Sequence, residues 1–174
     1  MEQTTTFQFS WNSPIGVSVI IFLLMNFIYL LVGIFPPILF RFFGNLLSVK
    51  LGLVFSPASD VAAFGKNAIE LMKENPSALV IKTTFYDVIT GLYLAHAILH
   101  FCLIWFCLIR GQTWSFWALT FSDLAVIGFY LLAARNLSTH LAPLKFGNLM
   151  PFATVPGILL PFAVIFGYIG LYWK

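Results

Sequence analysis

The sequence predicts an all-α integral membrane protein: a four-helix bundle with a cytoplasmic interfacial amphipathic helix between its first and second membrane spans. Composition is the first observation behind this prediction. Of the 174 residues, 60% are hydrophobic and only 9% are charged, whereas a soluble domain carries about 25% charged residues. The second observation is that four apolar stretches reach the roughly 20 residues that an α-helix needs to cross a bilayer.

The predicted spans cover residues 15–40, 84–109, 114–134 and 150–173, within a single transmembrane domain over residues 1–174. Pro36 and Pro37 are expected to bend or end the first span, because proline removes a helical hydrogen bond. Pro156 and Pro161 are expected to kink the fourth span for the same reason. Such a broken helix either lines a binding site or packs against a curved neighbour, and we favour packing.

The connector between the first two spans, residues 41–83, contains two kinds of segment. Residues 42–55 are still apolar, and they either lie in the interface or re-enter the membrane. Residues 57–74 have apolar side chains at helical spacing and charged side chains mostly between them, which predicts an amphipathic helix. Ser56 is suited to cap this helix and Pro57 to begin it. The helix either lies on the membrane surface or packs over the end of the bundle.

The distribution of basic residues predicts the orientation, because cytoplasmic loops of membrane proteins are enriched in Lys and Arg. The side that receives the 41–83 connector and the loop after the third span contains Arg41, Lys50, Lys66, Lys73, Lys82, Arg135 and Lys145. The opposite side contains only Arg110 and Lys174. We therefore expect both termini outside and the amphipathic segment in the cytoplasm, in a bacterial inner membrane.

Polar residues inside the second and third spans are the main functional candidates, since ionisable groups in a membrane are costly. The connection at residues 110–113 is short, so the two spans should form an antiparallel hairpin. In that hairpin, residues at equal depth have numbers that sum to about 223. This register predicts that His100 lies level with Asp123, and Asp87 with Arg135. We interpret Asp87 and Arg135 as a structural salt bridge at the membrane edge.

His96 and His100 lie four residues apart and therefore share one helix face. The glutamate of a zinc-protease helix is missing between them, and two histidines at this spacing cannot clamp one haem from opposite sides. A metal or haem would need a ligand from another helix, such as Asp123 or His140, so no cofactor is predicted. The favoured interpretation of His100 and Asp123 is a hydrogen bond that holds the bundle together. The alternative is a polar pocket for a ligand, a proton or a lipid head group.

Other polar side chains within the spans are candidates for the same interior network. Asn26 and Tyr93 are the principal ones, and Tyr29, Tyr130 and Ser122 are additional ones. The chain contains no phosphate-binding glycine loop, no nucleophile elbow and no paired-cysteine motif, which argues against a kinase, a nucleotide-driven pump and a serine hydrolase. Its basic residues form no continuous face, which argues against nucleic-acid binding.

The run at residues 110–118, RGQTWSFWA, follows a span that contains several polar residues. Apart from the missing residue between the arginine and the glycine, it resembles the "RxGxxWxxWA" turn of small bacterial four-helix membrane proteins of the DoxX-like kind. The long first connector that ends in Asn75-Pro76 is also similar, and together the resemblance covers about residues 60–135. These families have no agreed catalytic residues, so the resemblance implies a four-helix bundle and leaves the activity open.

Two main functional hypotheses follow, and a transporter made of dimers is a third option. The first is a non-enzymatic accessory or structural subunit of a larger membrane assembly, with membrane lipids, other subunits or a second copy of the chain as partners. The second is a binder, carrier or enzyme for a lipid, a quinone or another hydrophobic small molecule. In that case we expect the polar site to lie between the second, third and fourth spans, around His96, His100 and Asp123.

Overall fold

The computed structural model of the chain describes residues 7–52, 57–140 and 151–173, except for the side chains of residues 51, 140, 151 and 152. All regular secondary structure in these ranges is helical. In chain order, the helices are α1 (Pro14–Leu51), α2 (Pro57–Phe64), α3 (Ala68–Glu74), α4 (Ser77–Cys102), α5 (Thr113–His140) and α6 (Pro151–Tyr172). Four of them contain segments long and apolar enough to cross a membrane: Pro14–Lys50, Ser77–Arg110, Thr113–Thr139 and Ala153–Tyr172. The all-α class and the four long apolar helices are therefore confirmed.

Helix α1 is longer than the predicted first span. It begins where the Ser13 hydroxyl accepts a hydrogen bond from the Gly16 amide, with Pro14 at the first helical position. It continues through Pro36 and Pro37, and its regular dihedral angles are interrupted only at Phe43, with φ −130° and ψ 25°. The described part of residues 42–55 is thus a helical extension of α1 after a kink, and residues 53–56 lie outside the described part.

The connector contains two short helices instead of one amphipathic helix over residues 57–74. Helix α2 ends at Phe64, and Gly65 then adopts a positive φ of 66°, which ends the helix. Helix α3 begins anew with a capping box, in which the Asn67 side chain accepts from the Glu70 amide and the Glu70 carboxylate accepts from the Asn67 amide. The predicted cap at Ser56 lies outside the described residues.

Helix α4 continues through a π-helical turn at Leu103–Cys107 and a 3₁₀ turn at Leu108–Arg110 before the chain reverses. The reversal uses Gly111 in the left-handed region, with φ 76°. Helix α6 stays helical through Pro156 and Pro161, so neither proline divides it.

The helices pack in the spatial order α4, α1, α6, α5. Helix α1 contacts α4 and α6 extensively, whereas α5 packs mainly on α6. Outside their connecting turn, α4 and α5 have few direct backbone contacts. They therefore face each other across a cleft, and α1 forms the floor of that cleft. The α1–α4 contact is close at Gly33, where a Cβ atom would lie 2.8 Å from the backbone nitrogen of Leu94.

Candidate functional site: a His–Asp cluster at the end of an apolar cavity

Three polar side chains from α4 and α5 meet in the interior of the bundle. The Nε2 atom of His96 lies 3.6 Å from Oδ1 of Asp123, and the Nε2 atom of His100 lies 3.7 Å from the same oxygen. The Asp123 side chain is fully buried and that of His100 is 2% exposed. The predicted register between the two helices therefore does bring His100 to Asp123.

At 3.7 Å the His100–Asp123 contact is too long for a hydrogen bond. The hydrogen-bond partner of His100 is Ser122, whose hydroxyl oxygen lies 2.7 Å from Nε2. The single hydroxyl proton of Ser122 is donated to the Leu119 carbonyl at 2.9 Å. Ser122 must then accept from His100, which places a proton on the Nε2 atom of His100 in this arrangement.

Both carboxylate oxygens of Asp123 lack a hydrogen-bond donor among the residues that the structure describes, and His96 Nε2 and His100 Nδ1 also lack partners there. Buried polar atoms are nearly always hydrogen-bonded or bound to an ion, because an unpartnered group loses its hydration without compensation. Four such atoms in one cluster make it the candidate functional site.

Helix α1 covers this cluster with Tyr29. The centroid of the Tyr29 ring lies 5.0 Å from that of His96 and 6.1 Å from that of His100, in edge-to-face geometry. Its hydroxyl is the group on α1 that interacts with Asp123, both electrostatically and as a weak hydrogen-bond donor, although the pair falls outside standard hydrogen-bond geometry. Tyr93, a predicted member of the network, lies 5.8 Å from Tyr29, ring to ring. Asn26, also predicted, is buried on α1, and its amide oxygen has no hydrogen-bond donor among the described residues.

An apolar cavity of about 750 Å³ begins at His96 and follows the cleft between α4 and α5. Small-molecule sites in proteins usually measure about 300–1,000 Å³. Its lining residues come from three helices: Val32, Pro36, Leu39, Phe40 and Leu47 from α1; Tyr86, Ile89, Thr90, Leu92, Tyr93 and His96 from α4; and Ala125, Val126, Phe129, Tyr130 and Ala133 from α5. Among the described residues, none of those that line the cavity belongs to α6. The sequence analysis expected the site between the second, third and fourth spans, whereas this cavity lies between α1, α4 and α5.

The cavity extends along α4 from His96 to Tyr86, which is about 15 Å at the helical rise of 1.5 Å per residue. The rings of Phe40 and Tyr86, 4.7 Å apart, contact each other at its far end. Leu92 and Phe129 line it from opposite helices and are also 67% and 73% exposed. The cavity therefore opens to the outer surface of the bundle between these two helices.

Asp87 does not pair with Arg135. Its carboxylate lies 3.7 Å from the guanidinium of Arg41 on α1, and both side chains are substantially exposed. Arg135 is exposed on α5. The predicted salt bridge is wrong because α4 and α5 are separated at this end by the cleft, whereas α1 packs directly on α4.

A buried charged pair near the connector was missed by the sequence reasoning. The Lys82 side chain, 6% exposed, donates a hydrogen bond to the Gly52 carbonyl and lies over the rings of Phe40 and Tyr86. The carboxylate of Asp60 is fully buried and interacts electrostatically with Lys82. The amphipathic pattern assigns Asp60 to the polar face of a surface helix, and nothing in the local sequence indicates a cationic partner on α4.

Comparisons with known proteins return no matching family model, no matching curated protein and no matching solved structure. The resemblance to DoxX-like proteins therefore stays a prediction.

Proposed function

We propose that the protein is an integral membrane protein that binds a hydrophobic small molecule carrying one polar group, of the lipid or quinone class, between α1, α4 and α5. The observation that carries this proposal is the apolar cavity of about 750 Å³ that ends at the His96 side chain. It corresponds to the second of the two hypotheses drawn from the sequence.

The outer surface of the bundle supports a location in lipid. Large apolar side chains are widely exposed on all four long helices, among them Phe42, Phe85, Phe129 and Phe162. Extended apolar surface of this kind is rare on soluble monomers. The excess of basic residues on the connector side supports an orientation with both termini outside, and the bacterial inner membrane remains the predicted location.

The shape of the cavity supports a ligand with one polar group. Its walls are mainly aliphatic and aromatic, so they can pack against a hydrocarbon chain or ring system. The polar atoms of the cluster are concentrated at one end, where His96 can donate or accept a hydrogen bond. The opening between Leu92 and Phe129 would allow such a molecule to enter sideways from the membrane.

A cavity-filling substitution tests this proposal. Ala125 lines the cavity and is exposed within it, so Ala125→Trp would place an indole in the binding space. Ala95→Trp is the matched control, because Ala95 is also an exposed alanine in a long apolar helix but does not line the cavity. Both variants and the wild type would be purified in mild detergent. Native mass spectrometry and organic extraction would then identify and count the retained small molecules.

We expect the wild type and Ala95→Trp to retain one chemical class of hydrophobic molecule at a constant ratio, and Ala125→Trp to lose it. Equal retention by all three proteins, or a mixture that only reflects the bulk lipid, would overturn the proposal. The accessory-subunit hypothesis stays a prediction. A second protein that co-purifies at a fixed ratio, with no retained small molecule, would favour it over the binding function.

A further inference from the structure

We propose that His96, His100 and Asp123 form a binding site for a divalent transition metal ion, with Zn²⁺ as the ion that fits best. The sequence disfavoured a metal because a ligand from a second helix was needed. The structure supplies that ligand in Asp123, which lies on α5 opposite the two histidines of α4. This inference goes beyond the proposed binding function and does not depend on it.

The distances between the ligand atoms fit a tetrahedral ion. Zinc binds imidazole nitrogen and carboxylate oxygen at about 2.0–2.2 Å, so neighbouring ligand atoms around a tetrahedral zinc lie about 3.4 Å apart. The two distances from Oδ1 of Asp123 to the histidine Nε2 atoms are 3.6 and 3.7 Å. One donor atom of each residue lies within 4.8 Å of those of the other two. Side-chain rotations that shorten these separations would bring all three to coordination distance.

The electrostatics of the cluster favour a cation. Asp123 is fully buried, and neither of its oxygens has a hydrogen-bond donor in the described part of the chain. Burial removes the hydration of such a carboxylate, so a bound cation would stabilise its charged form. His96 presents an unpartnered Nε2 atom to the same oxygen. A metal ion at the centre of the three groups would satisfy Asp123 and His96 together.

The coordination of His100 has a consequence that can be tested. Its Nε2 atom now donates to Ser122, so metal binding must replace this proton, as it does at metal sites generally. Ser122 would keep its hydrogen bond to the Leu119 carbonyl. The Ser122 hydroxyl therefore competes with the metal for His100, and its removal should preserve or strengthen metal binding. A purely hydrogen-bonded cluster would instead be weakened by the same change.

Three protein ligands leave the fourth position of a tetrahedral ion open. In catalytic zinc sites this position holds water or substrate. Here Tyr29 covers the cluster from α1, while His96 borders the apolar cavity. A ligand atom that enters along the cavity would therefore approach the ion from the His96 side.

The test begins with the metal content of protein purified without chelators, measured by inductively coupled plasma mass spectrometry. The stripped wild-type protein would then be titrated with Zn²⁺ and with Co²⁺, whose visible absorption reports tetrahedral coordination. We expect about one ion per chain and competition between the two metals. Asp123→Asn and His96→Gln should lower the affinity at least tenfold. Asp87→Asn is the matched control, since Asp87 lies outside the cluster and pairs with Arg41.

Ser122→Ala distinguishes a metal site from a purely hydrogen-bonded network. If the cluster is a metal site, we expect this variant to bind Co²⁺ at least as tightly as the wild type. Absence of Zn²⁺ and Co²⁺ binding by the stripped wild-type protein would overturn the inference, and this outcome requires no variant to fold. Equal affinity in Asp123→Asn and Asp87→Asn would also overturn it. Ala125→Trp should retain the metal while it loses the hydrophobic molecule, so failure of either proposal can be recognised separately.

Discussion

The close contact between α1 and α4 at Gly33 gives the sharpest stability prediction. A Cβ atom on Gly33 would lie 2.8 Å from N and Cα of Leu94 and 2.9 Å from its Cβ. Carbon atoms in good contact are about 3.5–4.0 Å apart, so the helices would have to separate by almost an ångström. The opposing atoms are mainly backbone and cannot move aside by changing a rotamer. Gly33→Ala should therefore destabilise the bundle.

The size of this destabilisation can be estimated by comparing Gly33→Ala with a matched variant, Gly91→Ala. Gly91 lies on α4 with open space around it, and no atom lies within 4 Å of an added Cβ. Gly91→Ala should gain up to about 1 kcal/mol from helix propensity. Gly33→Ala has the same propensity gain but carries an overpacking cost of about 1–3 kcal/mol. We therefore expect its free energy of unfolding to be lower than that of Gly91→Ala by about 1–3 kcal/mol.

Reversible unfolding in mixed detergent and sodium dodecyl sulfate micelles would measure both variants. Tyr29 lies one helical turn before Gly33, and Tyr93 directly precedes Leu94, so separation of the helices should also loosen the cover of the His–Asp cluster. Retention of the hydrophobic molecule should then fall in Gly33→Ala but not in Gly91→Ala. If the two variants unfold with free energies within about 0.5 kcal/mol of each other, close packing at Gly33 does not limit the stability of the bundle, contrary to this prediction.

Three further predictions concern residues outside the His–Asp cluster. A double-mutant cycle between Arg41→Gln and Asp87→Asn should give a coupling of at most about 1 kcal/mol, because both side chains are exposed, and a cycle with Arg135→Gln should give none. Lys82→Met should lower the free energy of unfolding by about 1–3 kcal/mol, since it removes the donor to the Gly52 carbonyl and the cation near buried Asp60; equal stability in unfolding experiments would contradict this. Gly111→Ala should cost roughly 1–2 kcal/mol because its φ is 76°, and thermal unfolding in detergent would detect it.

The long helices were predictable because hydropathy and length determine which segments can cross a bilayer. The His100–Asp123 contact was predictable because both residues lie about two and a half helical turns from the short 110–113 connection, where the register is still fixed. Asp87 lies about six turns from that connection. A register between two helices contains no information about a third helix, and at that depth α1 supplies the cation instead of α5.

The connector shows which local signals were available. Gly65 and the Asn67–Glu70 capping box together mark the end of one helix and the start of another, and they could have predicted the division into α2 and α3. The burial of Asp60 could not have been predicted in this way. It depends on the approach of Lys82, which lies on α4 and is distant in sequence.

The position of α1 accounts for the principal differences between the predicted and the observed site. Because α1 packs on both α4 and α6, it takes up the interface that a simple hairpin of α4 and α5 would have formed. Near the connecting turn α4 and α5 stay close, and His96, His100 and Asp123 meet there. Farther along they are separated, which opens the cavity, and Asp87 pairs with Arg41 of α1. The polar cluster and the apolar cavity thus result from one packing arrangement, so a substitution that separates α1 from α4 should impair both.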